Sequence, residues 1–107
     1  MYYYKKIIFL LVIFIFPKVS NAFVNEKINF EKFSLNKYEI TIQEFKKYAI
    51  ENNITTEAEK TGGGYEWGAG WEKRNNWNYQ TPYGKKPESE LEPAVHISRF
   101  EADNYCK

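Results

Sequence analysis

Polar and apolar residues change their rhythm several times along this chain, and each change marks an element. Residues 25–36 alternate loosely, with Ile28, Phe30, Phe33 and Leu35 at the apolar positions. The alternation predicts one or two short strands with those four side chains turned inward. Thr41-Ile42-Gln43-Glu44 has the form of a capping box, in which the Thr41 hydroxyl takes the Glu44 amide while the Glu44 carboxylate reaches back. The helix it opens puts Ile42, Phe45, Tyr48 and Ala49 on one face and stops at Asn52-Asn53. A second box, Thr56-Glu57-Ala58-Glu59, starts only a short turn of helix before Gly62-Gly63-Gly64 halts it. A third, Ser98-Arg99-Phe100-Glu101, opens a helix that carries Ala102 and Tyr105 and has about two turns before Lys107.

Between the second and third boxes the pattern has no period. Residues 62–93 are rich in Gly, Asn, Pro and aromatic residues, which predicts a long ordered loop region with at most brief strands. Loops of this length inside a compact domain are uncommon and are usually functional or disordered. Six aromatic residues from Tyr65 to Tyr83 argue against disorder, whose sequences are aromatic-poor. Residues 56–84 hold all three Trp and every Gly of the chain, the composition of an irregular surface rather than of a generic helix or strand. Pro93-Ala94-Val95-His96-Ile97 reads as a short extended segment.

The N-terminal pattern is of another kind. Lys5 and Lys6 precede an unbroken apolar run over residues 7–16, and Pro17 then leads to Ser20-Asn21-Ala22, with small residues at the first and third places. This predicts a cleaved secretory signal over residues 1–22 and a mature start at Phe23. An uncleaved anchor is the alternative, but a membrane helix needs about 20 apolar residues. The expected setting is therefore exported, periplasmic or secreted, without a stable membrane span after cleavage. Removing the leader takes away Lys5, Lys6 and Lys18 and no acid, so the mature chain carries a formal charge of −2. That balance gives no reason to expect nucleic acid or an anionic membrane as partner. The single Cys, Cys106, allows no internal disulfide.

Candidate chemistry narrows quickly. Gly62-Gly63-Gly64 is neither a phosphate loop nor a dinucleotide fingerprint, since Trp67 takes the place of the last Gly and no Gly-Lys-Ser/Thr follows. His96, the only His, reads as a satisfied structural residue, and Cys106 as a half-buried helix Cys. With one of each, a zinc site would rest on carboxylates without supporting spacing. Glu57, Glu59, Glu66 and Glu72 are numerous enough for a carboxylate pair, but solvated and capping roles are commoner. Asn53-Ile54-Thr55 is a glycosylation acceptor triplet, meaningful in a eukaryotic source. Trp67, Trp71, Trp77, Tyr79 and Tyr83 read equally as a binding wall and as the core of a loop-rich domain.

Several of these stretches also stand in the order of a known family. Tyr38-Glu39-Ile40-Thr41 before a helix, Thr56-Glu57-Ala58-Glu59, Gly62-Gly63-Gly64-Tyr65, Gly70-Trp71-Glu72-Lys73-Arg74, Trp77-Asn78, Thr81-Pro82-Tyr83-Gly84 and Pro93-Ala94-Val95-His96-Ile97-Ser98 resemble the N-terminal part of the formylglycine-generating enzyme, or sulfatase-modifying factor, family. Glu101-Ala102 with Tyr105-Cys106 is similar to its D-A-x-x-Y-C helix. The resemblance covers residues 33–107. Arg99 departs from the usual aromatic residue, and Glu101 from the usual Asp.

The resemblance implies an α+β, C-type-lectin-like fold, loop-rich and truncated here to its N-terminal part, so that residues 23–107 form the first portion of the domain. It implies an oxidase that converts a Cys in a sulfatase-type polypeptide to formylglycine, with copper and calcium expected for the complete domain and none held by this chain. The family's cysteine pair and copper site belong to the later part of the domain, so the chain is expected to be inactive as it stands, and no residue of it is given a catalytic or metal-binding role. Trp71, Trp77 and Tyr79 are the substrate-binding candidates. The other reading is a non-catalytic exported module of the same family that recognises peptide or glycan.

Overall fold

The computed structural model describes residues 25–107; the leader expected over residues 1–22 lies outside them. Three helices and two separate antiparallel hairpins follow one another as β1 (Lys27–Asn29), β2 (Ser34–Asn36), α1 (Ile42–Glu51), α2 (Glu57–Thr61), β3 (Gly63–Trp67), β4 (Trp71–Asn75) and α3 (Arg99–Tyr105). The class is α+β, with most of the remaining chain in turns.

All three capping boxes form, and they place the helix starts. Thr41 accepts the Glu44 amide at 3.2 Å and its own N–H donates to the Glu44 carboxylate at 2.9 Å. Thr56 with Glu59, and Ser98 with Glu101, repeat the arrangement. Gly62, at φ 80°, closes α2 in the left-handed conformation that Gly adopts without a Cβ clash. Glu101 does more than close its own box. One carboxylate oxygen accepts from Ser98 N–H at 2.7 Å and the other from Glu57 N–H at 2.6 Å, so a single side chain serves the N-termini of α3 and α2.

The predicted face of α1 is the one that packs. Ile42, Phe45 and Ala49 are buried, and Tyr48 is half-buried beside them. Phe45 is the centre of an aromatic cluster, with ring centroids 4.8 Å from Tyr79, 5.7 Å from Tyr48 and 5.8 Å from Tyr105. Such pairs add about 0.5–1.5 kcal/mol each beyond burial of their area. Residues 90–94 lie along the start of α1, through Ile42 N–H to Glu92 O and Ala94 N–H to Ile40 O, and Lys46 meets Glu90 at 2.8 Å.

Two expectations about strands change. Ile28, Phe30, Phe33 and Leu35 do lie in or beside a hairpin, but all four are exposed rather than turned inward. The reason is architectural: β1 and β2 pair only with each other, and a two-stranded ribbon without a third strand has no sheet to bury its face. Phe30 and Phe33 instead stack on each other, 4.8 Å apart. The loop region, in turn, contains a regular hairpin of five residues per strand, β3 and β4, joined by Gly68-Ala69-Gly70. Gly63 and Gly64 are strand residues there.

Candidate functional site

The aromatic segment separates into three places. At the tip of the β3–β4 hairpin, Trp67 and Trp71 are cross-strand partners whose rings meet edge to face at 5.4 Å. They are 67% and 71% exposed, so this pair faces solvent. At the base of the hairpin, Trp77 lies 5.6 Å from both Tyr83 and His96, half-buried between them. Tyr79 is elsewhere altogether, 3% exposed and seated against Phe45 in the core. The structure therefore does not gather Trp71, Trp77 and Tyr79 into one wall.

Local chemistry explains Tyr79. Asn78 Oδ1 accepts from Gln80 N–H at 2.8 Å and Thr81 N–H at 3.2 Å, a side-chain-closed turn. Gln80 in turn donates to the second oxygen of Glu59 at 2.9 Å, which ties this turn to the cap of α2. Burial in the core pushes the Tyr79 hydroxyl above its ordinary value, and the nearby Glu59 charge adds to the shift.

His96 holds the base of the hairpin. Its Nε2 lies 2.9 Å from the Pro82 carbonyl, an acceptor only, so the neutral ring carries its proton on Nε2. The opposite ring edge lies against Gly64, where an added Cβ would run into Nδ1 and Cγ. This is the satisfied structural His that its apolar neighbours suggested. The backbone is not the extended one expected, however, because His96 takes φ 59° and the chain turns there.

The four carboxylates have structural partners or stand at helix starts. Glu59 closes the α2 box, and Glu57 lies exposed in the first turn of that helix. Glu66 and Glu72 are direct cross-strand neighbours, and Arg74 bonds both, to Glu66 through Nε at 2.6 Å and to Glu72 at 2.9 Å. Like charges opposite each other would weaken the ladder, and the shared guanidinium offsets this. The Glu66 hydrogen bond and charge, then the Glu72 charge, raise the Arg74 guanidinium above its ordinary value. Sequence reasoning missed this triad because it missed the hairpin. The signal was there: two five-residue runs flank a three-residue loop with Gly at both ends.

Cys106 is also displaced from its expected surroundings. It is the C-cap of α3 and is exposed, rather than half-buried within the helix. It borders a depression of about 600 Å³ with Leu35, Tyr48 and Tyr105.

The family model described as Sulfatase-modifying factor enzyme 1-like domain matches residues 15–107. The chain belongs to this family. No curated protein and no solved structure matches it. The matched range begins inside the segment read as a leader. Within it, the sulfatase-modifying factor motifs occupy distinct places: Trp71-Glu72-Lys73-Arg74 is most of β4, Thr81-Pro82-Tyr83-Gly84 is the turn under Trp77, and Pro93-Ala94 bonds to the chain just before α1. Among the described residues no three of His, Cys, Asp and Glu come together as metal ligands. The chain has a single thiol, Cys106, so it offers no pair of thiolates to a metal, and Arg74 and the helix caps hold Glu66, Glu72 and Glu59.

Proposed function

We propose that this chain is the N-terminal portion of a formylglycine-generating, sulfatase-modifying oxidase, with a C-type-lectin-like fold, acting in an exported compartment. The family match over residues 15–107 carries this reading, and the ordered motifs from Tyr38 to Cys106 support it. In the complete enzyme a copper centre and oxygen supply the oxidation of a substrate Cys in a sulfatase C-x-P-x-R segment. Cys106 is the one thiol of the chain and is exposed, so no residue here is assigned the oxidation itself. On this reading the described residues frame the substrate, with Trp71 and Trp77 as candidate contacts. Tyr79, buried against Phe45, is left out of that surface.

The exposed Trp67–Trp71 pair also suits the second reading, a module of the family that binds peptide or glycan without oxidising anything. One experiment separates the two. The chain, expressed with whatever in-frame sequence follows Lys107, is incubated with copper, oxygen and a C-x-P-x-R peptide and the peptide is weighed by mass spectrometry. Conversion of the thiol to an aldehyde supports the oxidase. An unchanged peptide mass, together with quenching of Trp emission by peptide or oligosaccharide, would leave the binding module in its place.

A further inference from the structure

We infer that Asn53 is an acceptor for an N-linked glycan. The triplet Asn53-Ile54-Thr55 is the only place in the chain where an Asn is followed two residues later by Ser or Thr, and the middle residue is not Pro. A triplet alone is weak, since many are buried or bound up in local structure. Here the fold presents it.

α1 ends at Glu51, and Asn52 spends its side-chain amide on the Tyr48 carbonyl at 2.9 Å. Asn53 is the next residue, exposed and at φ 53°, in the left-handed conformation that reverses the chain out of the helix. Its backbone is occupied, with N–H donating to Ile50 O, but its carboxamide has no hydrogen-bond partner among the described residues. The Thr55 hydroxyl is likewise exposed and unpartnered among them, and only Ile54 between them packs toward the core. Depressions of about 450 and 430 Å³ both border residues 53–55, so the triplet is a ridge with open space on either side.

The transfer is chemically simple to state. Asn53 Nδ2 forms a bond to the anomeric carbon of a lipid-diphosphate-linked oligosaccharide. The bond from that carbon to the diphosphate oxygen breaks, the lipid diphosphate leaves with the electron pair, and the amide proton passes to solvent. The enzyme and the lipid-linked donor are the co-reactants. The inference rests on the exported setting proposed above for where it happens in the cell, and on the surface geometry for whether it can happen.

The test has two arms that keep those apart. The full chain is isolated from the exported fraction of its own host and the peptide spanning Asn53 is weighed; the expected result is a shift by one glycan. Thr55→Ala and Asn53→Gln abolish the shift, whereas Thr55→Ser keeps it, and Thr55→Ala does so without touching the left-handed residue. Separately, the purified full chain is offered to oligosaccharyl transferase membranes with lipid-linked oligosaccharide, where transfer to Asn53 is expected whatever the protein's location in the cell. Recovery of leader-cleaved exported protein with unmodified Asn53 overturns the proposal. So does failure of transfer in vitro while a short control acceptor peptide is glycosylated.

Discussion

The α1 face and the β3–β4 tip carry similar aromatic weight and use it in opposite ways. Around Phe45, three rings from three parts of the chain pack together, and Phe45 itself is 2% exposed. At the hairpin tip, two Trp rings that meet edge to face leave most of their surface in solvent. The difference lies in what stands behind each. A helix with a fixed cap offers a stripe that distant segments can cover, whereas a two-stranded ribbon supplies partners only from its own two strands. Aromatic content therefore says little about burial until the neighbouring layer is known.

The strongest challenge to this contrast is Phe45→Ala. It empties the middle of the ring cluster and should cost about 3–5 kcal/mol, enough to remove most of the cooperative transition in a urea titration of the purified chain. A loss below about 1 kcal/mol would mean that the cluster is not the core. Next in size is Gly63→Ala, where the new methyl meets the Arg74 backbone carbonyl, a group no rotamer change can move. A loss of about 1–3 kcal/mol is expected, against less than about 0.5 kcal/mol for Gly70→Ala, where the space is open.

Glu101→Ala removes acceptors from two helix starts and should cost about 1 kcal/mol. Its diagnostic is faster amide exchange at Glu57 as well as at Ser98, and an effect confined to α3 would show that the α2 contact contributes nothing. The tyrosines of the core give a pH dependence. Burial raises the Tyr79 and Tyr105 hydroxyls above their ordinary value, with smaller contributions from Glu59 for Tyr79 and from Glu44, then Cys106, for Tyr105. The folded state thus holds these protons more tightly than the unfolded chain. Their contribution is full below about pH 10, the unfolded value, and falls as pH rises through the folded values. Tyr79→Phe should flatten part of that alkaline decline in Tm. The smallest effect belongs to Trp71→Ala, within about 0.5 kcal/mol of wild type in the same titration. A larger loss would place the hairpin tip in the core after all.

What could be read in advance follows from the range of each signal. The three capping boxes need only residues three apart, so helix starts at Thr41, Thr56 and Ser98 were legible from the chain itself. The packing face of α1 was legible for the same reason. Burial of Tyr79 was not, because it depends on an Asn78 turn and on a helix more than thirty residues earlier. The exposed faces of Ile28, Phe30, Phe33 and Leu35 were misread because alternation reports a strand's two sides without saying that anything covers either. His96 was placed correctly in role and wrongly in backbone, since the carbonyl of Pro82 that fixes it comes from a turn with no periodic pattern. The candidate binding residues fared likewise: side-chain type gave the list, and only the fold could sort Trp71 to the tip, Trp77 to the base and Tyr79 to the interior.

The Phe45 cluster also sets a schedule for synthesis. Phe45 and Tyr48 leave the ribosome early, Tyr79 follows about thirty residues later, and Tyr105 arrives last. Until that last ring emerges, the apolar stripe of α1 is a half-covered surface on a nascent chain, open to chaperones and to neighbouring copies. Translation speed over the codons between Tyr79 and Tyr105 therefore sets how long that exposure lasts.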